Sequence, residues 1–373
     1  MSNVNHGEVR EPLIHLSKRG AIAPGKAWAI RIAFVLLGFL ACGLIALLLI
    51  EKLQQNPAKI GQFYNGFIQG AFGKGKLWKY LKDTAILLSV SLALVPAFRM
   101  RFWNIGAEGQ VLIGAWAAAA CMISLTGKVP EWVLIVIMAL SSILCGALWA
   151  VIPAVFKARW NTNDTLFTLM MNYIATQIVA CFAIVWENPK GSGTIGIINN
   201  STEFGWIQIG NKYLLPIIVS LVMTVAVYIY LHYTKHGYEI AVVGESERTA
   251  RYVGIKVERV MVRTLFLSGA ICGLVGLILV AGVNHTLTTT LAGGRGFTAV
   301  MVSWMSHFNP FTMILTSFLL VFLNRGAGEI ATTFSLNTSF SDILTGIIIF
   351  FIIGCEFFIR YRVNFCSTKK KEG

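Results

Sequence analysis

Residues 102–110 read Phe102-Trp103-Asn104-Ile105-Gly106-Ala107-Glu108-Gly109-Gln110. This stretch sets one carboxylate, two amides and two glycines between apolar runs at 84–98 and 111–125. A bilayer core of about 30 Å takes about 20 apolar residues in a helix. Each run falls short of a comfortable straight crossing. Short hydrophobic segments interrupted by glycine and polar residues mark a solute pathway in membrane transport proteins. The expectation is a bundle with some broken helices and a pathway beside this patch.

Composition sets the class. The 373 residues are 56% hydrophobic and only 13% charged, where a soluble domain carries about 25%. A charge at the bilayer centre costs several kcal/mol, so the deficit marks an all-α, polytopic membrane protein without a large soluble domain. We read ten membrane segments, at 28–50, 84–98, 105–124, 132–155, 165–186, 214–234, 264–283, 297–308, 311–324 and 342–360. The eighth and ninth are short and separated by Asn309-Pro310, a turn signal consistent with a broken hairpin. The first run is longer than the apolar region of a cleavable signal and reads as a span.

The formal net charge of +14 is explained by topology, with no nucleic-acid partner needed, because Lys and Arg gather on the cytoplasmic side. With the N-terminus inside, 20 of the 31 Lys and Arg fall on that side. Both ends are then cytoplasmic: a tail over 1–27, a permease domain over 28–360 with a cytoplasmic loop at 235–263, and a basic tail over 361–373. Arg360, Arg362 and Lys369-Lys370-Lys371 fit an anionic lipid leaflet. The loop Glu51–Asp83 resists, since it carries six lysines outside. Its Phe63, Tyr64, Phe67, Phe72, Trp78 and Tyr80 read as an interfacial amphipathic segment. Seven cysteines lie mostly in apolar runs without a Cys-x-x-Cys pair and read as packing residues.

The loop at 235–263 has helix punctuation. Ser246 suits an N-cap, Glu247 the first turn and Gly254 the C′ position. A helix of about two turns is marginal alone in water. It must pack against its own bundle or against a partner, and Ala241, Val243, Ala250 and Val253 mixed with charges fit either.

Three stretches give the chain a strong resemblance to the membrane permease subunits of ATP-binding-cassette importers of the branched-chain amino acid, simple-sugar and nucleoside class. They are Asn104 to Gln110, the segment from Gly237-Tyr238-Glu239 through Gly244 to Arg251-Tyr252-Val253-Gly254, and Gly293-Gly294-Arg295-Gly296-Phe297-Thr298-Ala299-Val300. Arg101-Phe102-Trp103 and Leu169-Met170-Met171-Asn172-Tyr173-Ile174 resemble the nucleoside and simple-sugar branch. Trp304 and His307 depart from the small, Gly-rich stretch common at that place. The resemblance implies a multi-pass protein of the bacterial plasma membrane that pairs with itself or with a paralogue beneath an extracytoplasmic solute-binding protein. It also implies cytoplasmic ATPase subunits that dock on Gly237, Glu239, Ala241, Gly244, Glu247, Arg248, Ala250, Arg251 and Gly254.

The candidate substrate pathway comprises Trp103, Asn104, Glu108, Asn172, Tyr173, Phe297 and Trp304. Glu108 either lines the conduit or accepts free backbone N–H groups at a helix start. Asn172, Thr176 and Gln177 either meet solute or bond between helices. The aromatics offer stacking faces, which membrane interfaces also favour. His232 and His236 have metal-compatible spacing, but no third ligand lies near them in sequence, and they read as helix-end residues.

No Gly-x-x-x-x-Gly-Lys-[Ser/Thr] occurs in the sequence, so no phosphate loop of that type is present. We read no cofactor and no enzyme. The rival reading is an ion- or proton-coupled secondary transporter, which would want several embedded acids; Glu108 alone is plainly inside, with Asp164, Glu329 and Asp342 at segment ends.

Overall fold

The computed structural model describes residues 14–18, 23–208, 210–211 and 213–365. Lys369-Lys370-Lys371, Cys366 and most of the N-terminal tail lie outside the described residues. The helices, in chain order, are α1 Pro24–Leu49, α2 Glu51–Gln55, α3 Ile60–Phe72, α4 Leu77–Arg99, α5 Ala107–Leu125, α6 Glu131–Trp160 and α7 Asp164–Val185. There follow α8 Leu214–Tyr233, α9 Lys235–Glu245, α10 Glu247–Tyr252, α11 Val257–Leu277, α12 Arg295–Met305, α13 Pro310–Phe334 and α14 Thr338–Arg360. A π-helical turn, Ile278–Asn284, extends α11. Strands β1 Ile14–Lys18 and β2 Tyr361–Phe365 pair antiparallel, so the two tails adjoin.

Among the described residues, nine helices are long and apolar enough to cross a membrane. The expected bundle of about ten segments, some of them short or broken, is the one observed, and the eighth segment is the short one. There, α12 has 11 residues, about 16 Å at 1.5 Å per residue, which is half a bilayer core. Other segments are longer than the sequence indicated, α4 and α13 among them. The helix expected over 84–98 is α4, with 23 residues, and the one expected over 311–324 is α13, with 25. Lys79, Lys82 and Asp83 in the first turns of α4, and Arg325 and Glu329 in α13, hid the helix ends from an apolar count.

The chain divides into two compact units, residues 74–321 and residues 1–73 with 322–373. In the latter, α1 lies along α14. Gly38 meets Phe351, and Phe34 and Phe358 have ring centroids 5.2 Å apart. Helix α3 is amphipathic, and it buries Phe63, Gly66, Phe67 and Gly70. A Cβ on Gly70 would come within 2.8 Å of the Gly326 Cα. The expected interfacial segment is therefore seated by its small residues on the second half of α13.

In residues 74–321, α5, α6 and α11 meet backbone to backbone. Lipid tails are as apolar as side chains, so helices in a membrane associate through close packing of small residues and through hydrogen bonds. A Cβ on Gly146 would lie 2.6 Å from the Gly269 carbonyl oxygen, and one on Gly276 would lie 2.5 Å from the Val111 carbonyl oxygen. Ser142, fully buried, sits where its hydroxyl reaches the carbonyls of Gly114 (2.6 Å) and Gly273 (2.8 Å). Helix α4 is the most enclosed span, with 89% of its apolar window buried, and α12 packs on it.

Candidate functional site

The turn between α4 and α5 is pinned by side chains from α7 and α11. The Trp103 N–H donates to Asp164 Oδ2 (2.6 Å), and the Ile105 N–H donates to Thr168 Oγ1 (3.2 Å). Asn104 is fully buried. Its Nδ2 donates to Ser268 Oγ (3.2 Å), and its Oδ1 accepts from the Gly106 N–H and from Gln110 Nε2, both at 3.1 Å. Asn172 accepts from the Gly109 N–H (2.8 Å) and donates to the Ile105 carbonyl (2.9 Å). Thr176 donates back to Asn172 in its own helix (2.9 Å). The polar atoms of Asn104 and Asn172 thus join helix to helix, the alternative that the sequence left open for Asn172.

Glu108 has a partner far along the chain. Its Oε1 accepts from the Gly294 N–H (2.8 Å) and its Oε2 from the Gly296 N–H (2.7 Å). These donors open α12, where the helix leaves N–H groups without intrahelical acceptors and carries partial positive charge. A Cβ on Gly296 would lie 2.5 Å from the Glu108 backbone nitrogen, so glycine permits the approach. One residue on, Arg295 Nη2 reaches Asp83 Oδ1 (3.3 Å), which Lys82 also approaches (3.2 Å). Neither Asp83 nor Arg295 is a site residue in the sequence reading: Asp83, in the second turn of α4, reads as part of a charged loop, and Arg295 has no acid near it in sequence.

With Gly296, Ala299, Val302 and Ser303 buried, α12 turns Phe297, Met301 and Trp304 outward, each more than 40% exposed. Their spacing of four and three residues puts them on one face. Trp304 stacks on Trp103 with centroids 5.1 Å apart and planes 18° from parallel. Phe98 and Phe308 continue the cluster. A cavity of about 400 Å³ opens there, lined also by Arg99 and Arg101. The structure therefore brings Trp103 and Trp304 into contact, puts Phe297 on the Trp304 face of α12, and adds Met301. Tyr173, 63% exposed on α7, makes none of these ring contacts.

In the loop between α7 and α8, the Ile207 N–H donates to the Ala281 carbonyl (2.9 Å) and the Ile198 N–H to the His285 carbonyl (2.8 Å). The π-helical turn shifts the bonding register from i−4 to i−5, and the loop backbone adds bonds across it. Trp206 stacks on the His285 ring at 3.7 Å. No local sequence pattern announced that contact. Glu187 accepts from the Gly191 and Gly193 N–H groups at 2.8 and 3.1 Å, and these bonds hold its carboxyl below the usual range.

Between α8 and α11 the single expected helix is a pair. Thr234 accepts from the Gly237 N–H (3.1 Å) at the start of α9, and Ser246 accepts from the Thr249 N–H (3.2 Å) at the start of α10, as its sequence indicated. Gly254 closes the segment with φ +85°. The nine expected docking residues divide. Gly237, Gly244 and Ala250 are buried, and Gly237 and Gly244 abut the backbone ends of α8 and α4. Val243 also turns inward, onto the chain's own bundle. Glu239 is tied to Arg263 (2.8 Å) and Arg251 to Glu258 (2.9 Å). Ala241, Glu247, Arg248 and Gly254 are exposed, together with Tyr238, Val253 and Tyr252, the last 92% exposed. His236 lies 3.8 Å from Glu239, and His232 lies 3.4 Å from Arg99.

A family model described as the permease component of branched-chain amino acid transport systems matches residues 77–353. A glucose ABC transporter permease of Haloferax volcanii is 26% identical over 320 residues, covering 82% of this chain and 83% of its own. A guanosine ABC transporter permease of Bacillus subtilis is 26% identical over 355 residues, covering 91% and 95%. A nucleoside ABC transporter permease of Lactococcus lactis is 24% identical over 320 residues, covering 77% and 87%.

Proposed function

The chain belongs to the branched-chain amino acid transport system permease family, and we propose that it is the translocation subunit of an ATP-driven importer. It is a multi-pass membrane protein, and its place is the bacterial plasma membrane. Separate cytoplasmic ATPase subunits supply the energy, a second permease completes the conduit, and an extracytoplasmic protein delivers the solute.

The α9–α10 pair carries this reading. Six residues do not hold an isolated helix in water, yet α10 is capped, seated on the bundle and left with Tyr252 almost wholly outside. Exposed aromatics beside Arg248 and Glu247 have the composition of an interface anchor. Gly237, Gly244 and Ala250 set the angle of the pair, while Ala241, Glu247, Arg248 and Gly254 form the outer contact. Glu239 and Arg251 fasten it to α11.

The pathway runs along Phe297, Met301, Trp304 and Trp103, with Glu108 holding the half-helix that presents them. Asn104 and Asn172 brace that wall, and Tyr173 stands apart from it. An aromatic wall with Arg99 and Arg101 at its edge suits a nucleoside or a simple sugar, because a flat ring or a sugar face exchanges one stacking contact for another. The β1–β2 pairing supports both termini on one side, the cytoplasmic one by charge bias. Nine full spans need a tenth passage, and 285–305 supplies it. Irregular backbone at membrane depth is tolerated where protein covers it, and Leu287, Leu291 and Ala292 are at most 4% exposed. A proton-coupled mechanism is disfavoured because Glu108 and Asp83 are already compensated by N–H donors and by cations.

The test is co-purification with the partner ATPase. Arg248→Glu with Tyr252→Ala is expected to abolish association while leaving the thermal stability of the permease unchanged. Association at full strength would remove the docking assignment.

A further inference from the structure

At the end of the bundle that carries α9 and α10, the last turns of α6 and the first turns of α11 enclose an open groove of about 460 Å³. Its floor is Val155, Ala158, Val262 and Phe266, and its rim is Arg159 and Arg259. The two helices are antiparallel, so the floor lies deeper in the bilayer than the rim. Among the described residues, neither Arg159 nor Arg259 makes an ion pair. The other charged groups facing the groove are committed, Glu258 to Arg251 and Arg263 to Glu239. Arg263 Nε is buried without an acceptor.

We infer that this groove is a binding site for an anionic phospholipid. The phosphate lies between the Arg159 and Arg259 guanidiniums, and one acyl chain lies along Val262 and Phe266. Basic pockets between helices on the cytoplasmic side hold anionic headgroups by this combination of charge and depth. A soluble anion has no use for the apolar floor, and a zwitterionic lipid brings an ammonium against the arginines. The site shares Glu258 and Arg263 with the two bridges that fasten α9 and α10, so an occupying lipid meets the ridge on which the docking pair is mounted.

The experiment measures lipid retained by the full-length permease, purified in detergent and titrated with phosphatidylglycerol or phosphatidylcholine, by native mass spectrometry. Phosphatidylglycerol is expected to bind, with Arg159→Gln/Arg259→Gln weakening it roughly thirtyfold at about 1 kcal/mol per charge. Lys128→Gln/Lys190→Gln removes the same charge from exposed loops elsewhere and is expected to change nothing. Val262→Trp fills the floor, keeps both arginines and is expected to expel the lipid, and it decides the matter if the arginine variant does not fold. Unaltered affinity in the groove variants, equal loss in the lysine variant, or equal retention of phosphatidylcholine overturns the site. So does a disulfide between two Val262→Cys copies in native membranes, which makes the groove a permease–permease contact.

Discussion

Helices α12 and α10 are both too short to stand alone, and they are finished in opposite ways. Helix α10 takes its cap from Ser246, the residue just before it. Helix α12 takes its cap from Glu108, 186 residues away from Gly294. The cause is the surrounding medium. At an exposed helix start water satisfies whatever the cap leaves open, so one hydroxyl is enough. Inside a bundle the free N–H groups need protein acceptors, and a carboxylate at the positive end of a helix offsets its own desolvation. An acid within a transporter is therefore not by itself a solute ligand or a proton carrier, because here its oxygens are committed to backbone.

The sharpest way to break this comparison is at Glu108. Glu108→Ala removes two charge-assisted hydrogen bonds of about 1.5–3 kcal/mol each, so destabilisation of about 3–6 kcal/mol is expected, read as thermal unfolding in detergent and as lost uptake. Glu108→Gln keeps one good acceptor and is expected to lose roughly half as much. Stability unchanged in both variants, with uptake abolished, would return Glu108 to the conduit. Next in size is Gly273→Ala, whose new Cβ meets Ser142 backbone. Overpacking of this kind costs about 1–3 kcal/mol and is expected as a lower unfolding temperature. Ser246→Ala removes the α10 cap at about 1 kcal/mol. Hydrogen exchange over 247–252 is expected to accelerate while the global unfolding temperature holds.

The smallest effect is one of pH. The Gly191 and Gly193 N–H groups lower the Glu187 pKa, so its contribution to loop order is complete above the ordinary carboxylate value. That contribution is lost as pH falls through the lowered folded value. Exchange of the Gly191 and Gly193 amides is expected to rise in acid, relative to its intrinsic rate, and Glu187→Gln is expected to remove the pH dependence.

What the sequence made legible was local. The α10 cap, the Gly254 turn and the apolar lengths of α1, α6, α7, α8 and α14 are each written within a few consecutive residues. The ends of α4 and α13 were hidden because charged residues inside a membrane helix read as loop until their partners are known. Asp83 is neutralised by Arg295, which is distant in sequence. The roles of Asn172 and Glu108 stay open in the sequence, and Asn104 reads there as a pathway residue, since an amide or acid between apolar runs looks the same whether its partner is a solute or a helix end. Met301 escaped notice because one thioether in an apolar run carries no signal until the buried face of α12 is fixed. The stacking of Trp206 on His285 joins a loop to a helix end and has no signature in either.

Uptake of labelled nucleoside or sugar into proteoliposomes, with the permease alone and with its ATPase and binding protein, tests the central claim most directly. The account predicts no accumulation by the permease alone under a proton gradient, and ATP-dependent accumulation by the complex that disappears in the Arg248→Glu/Tyr252→Ala variant. Gradient-driven accumulation by the permease alone would contradict it.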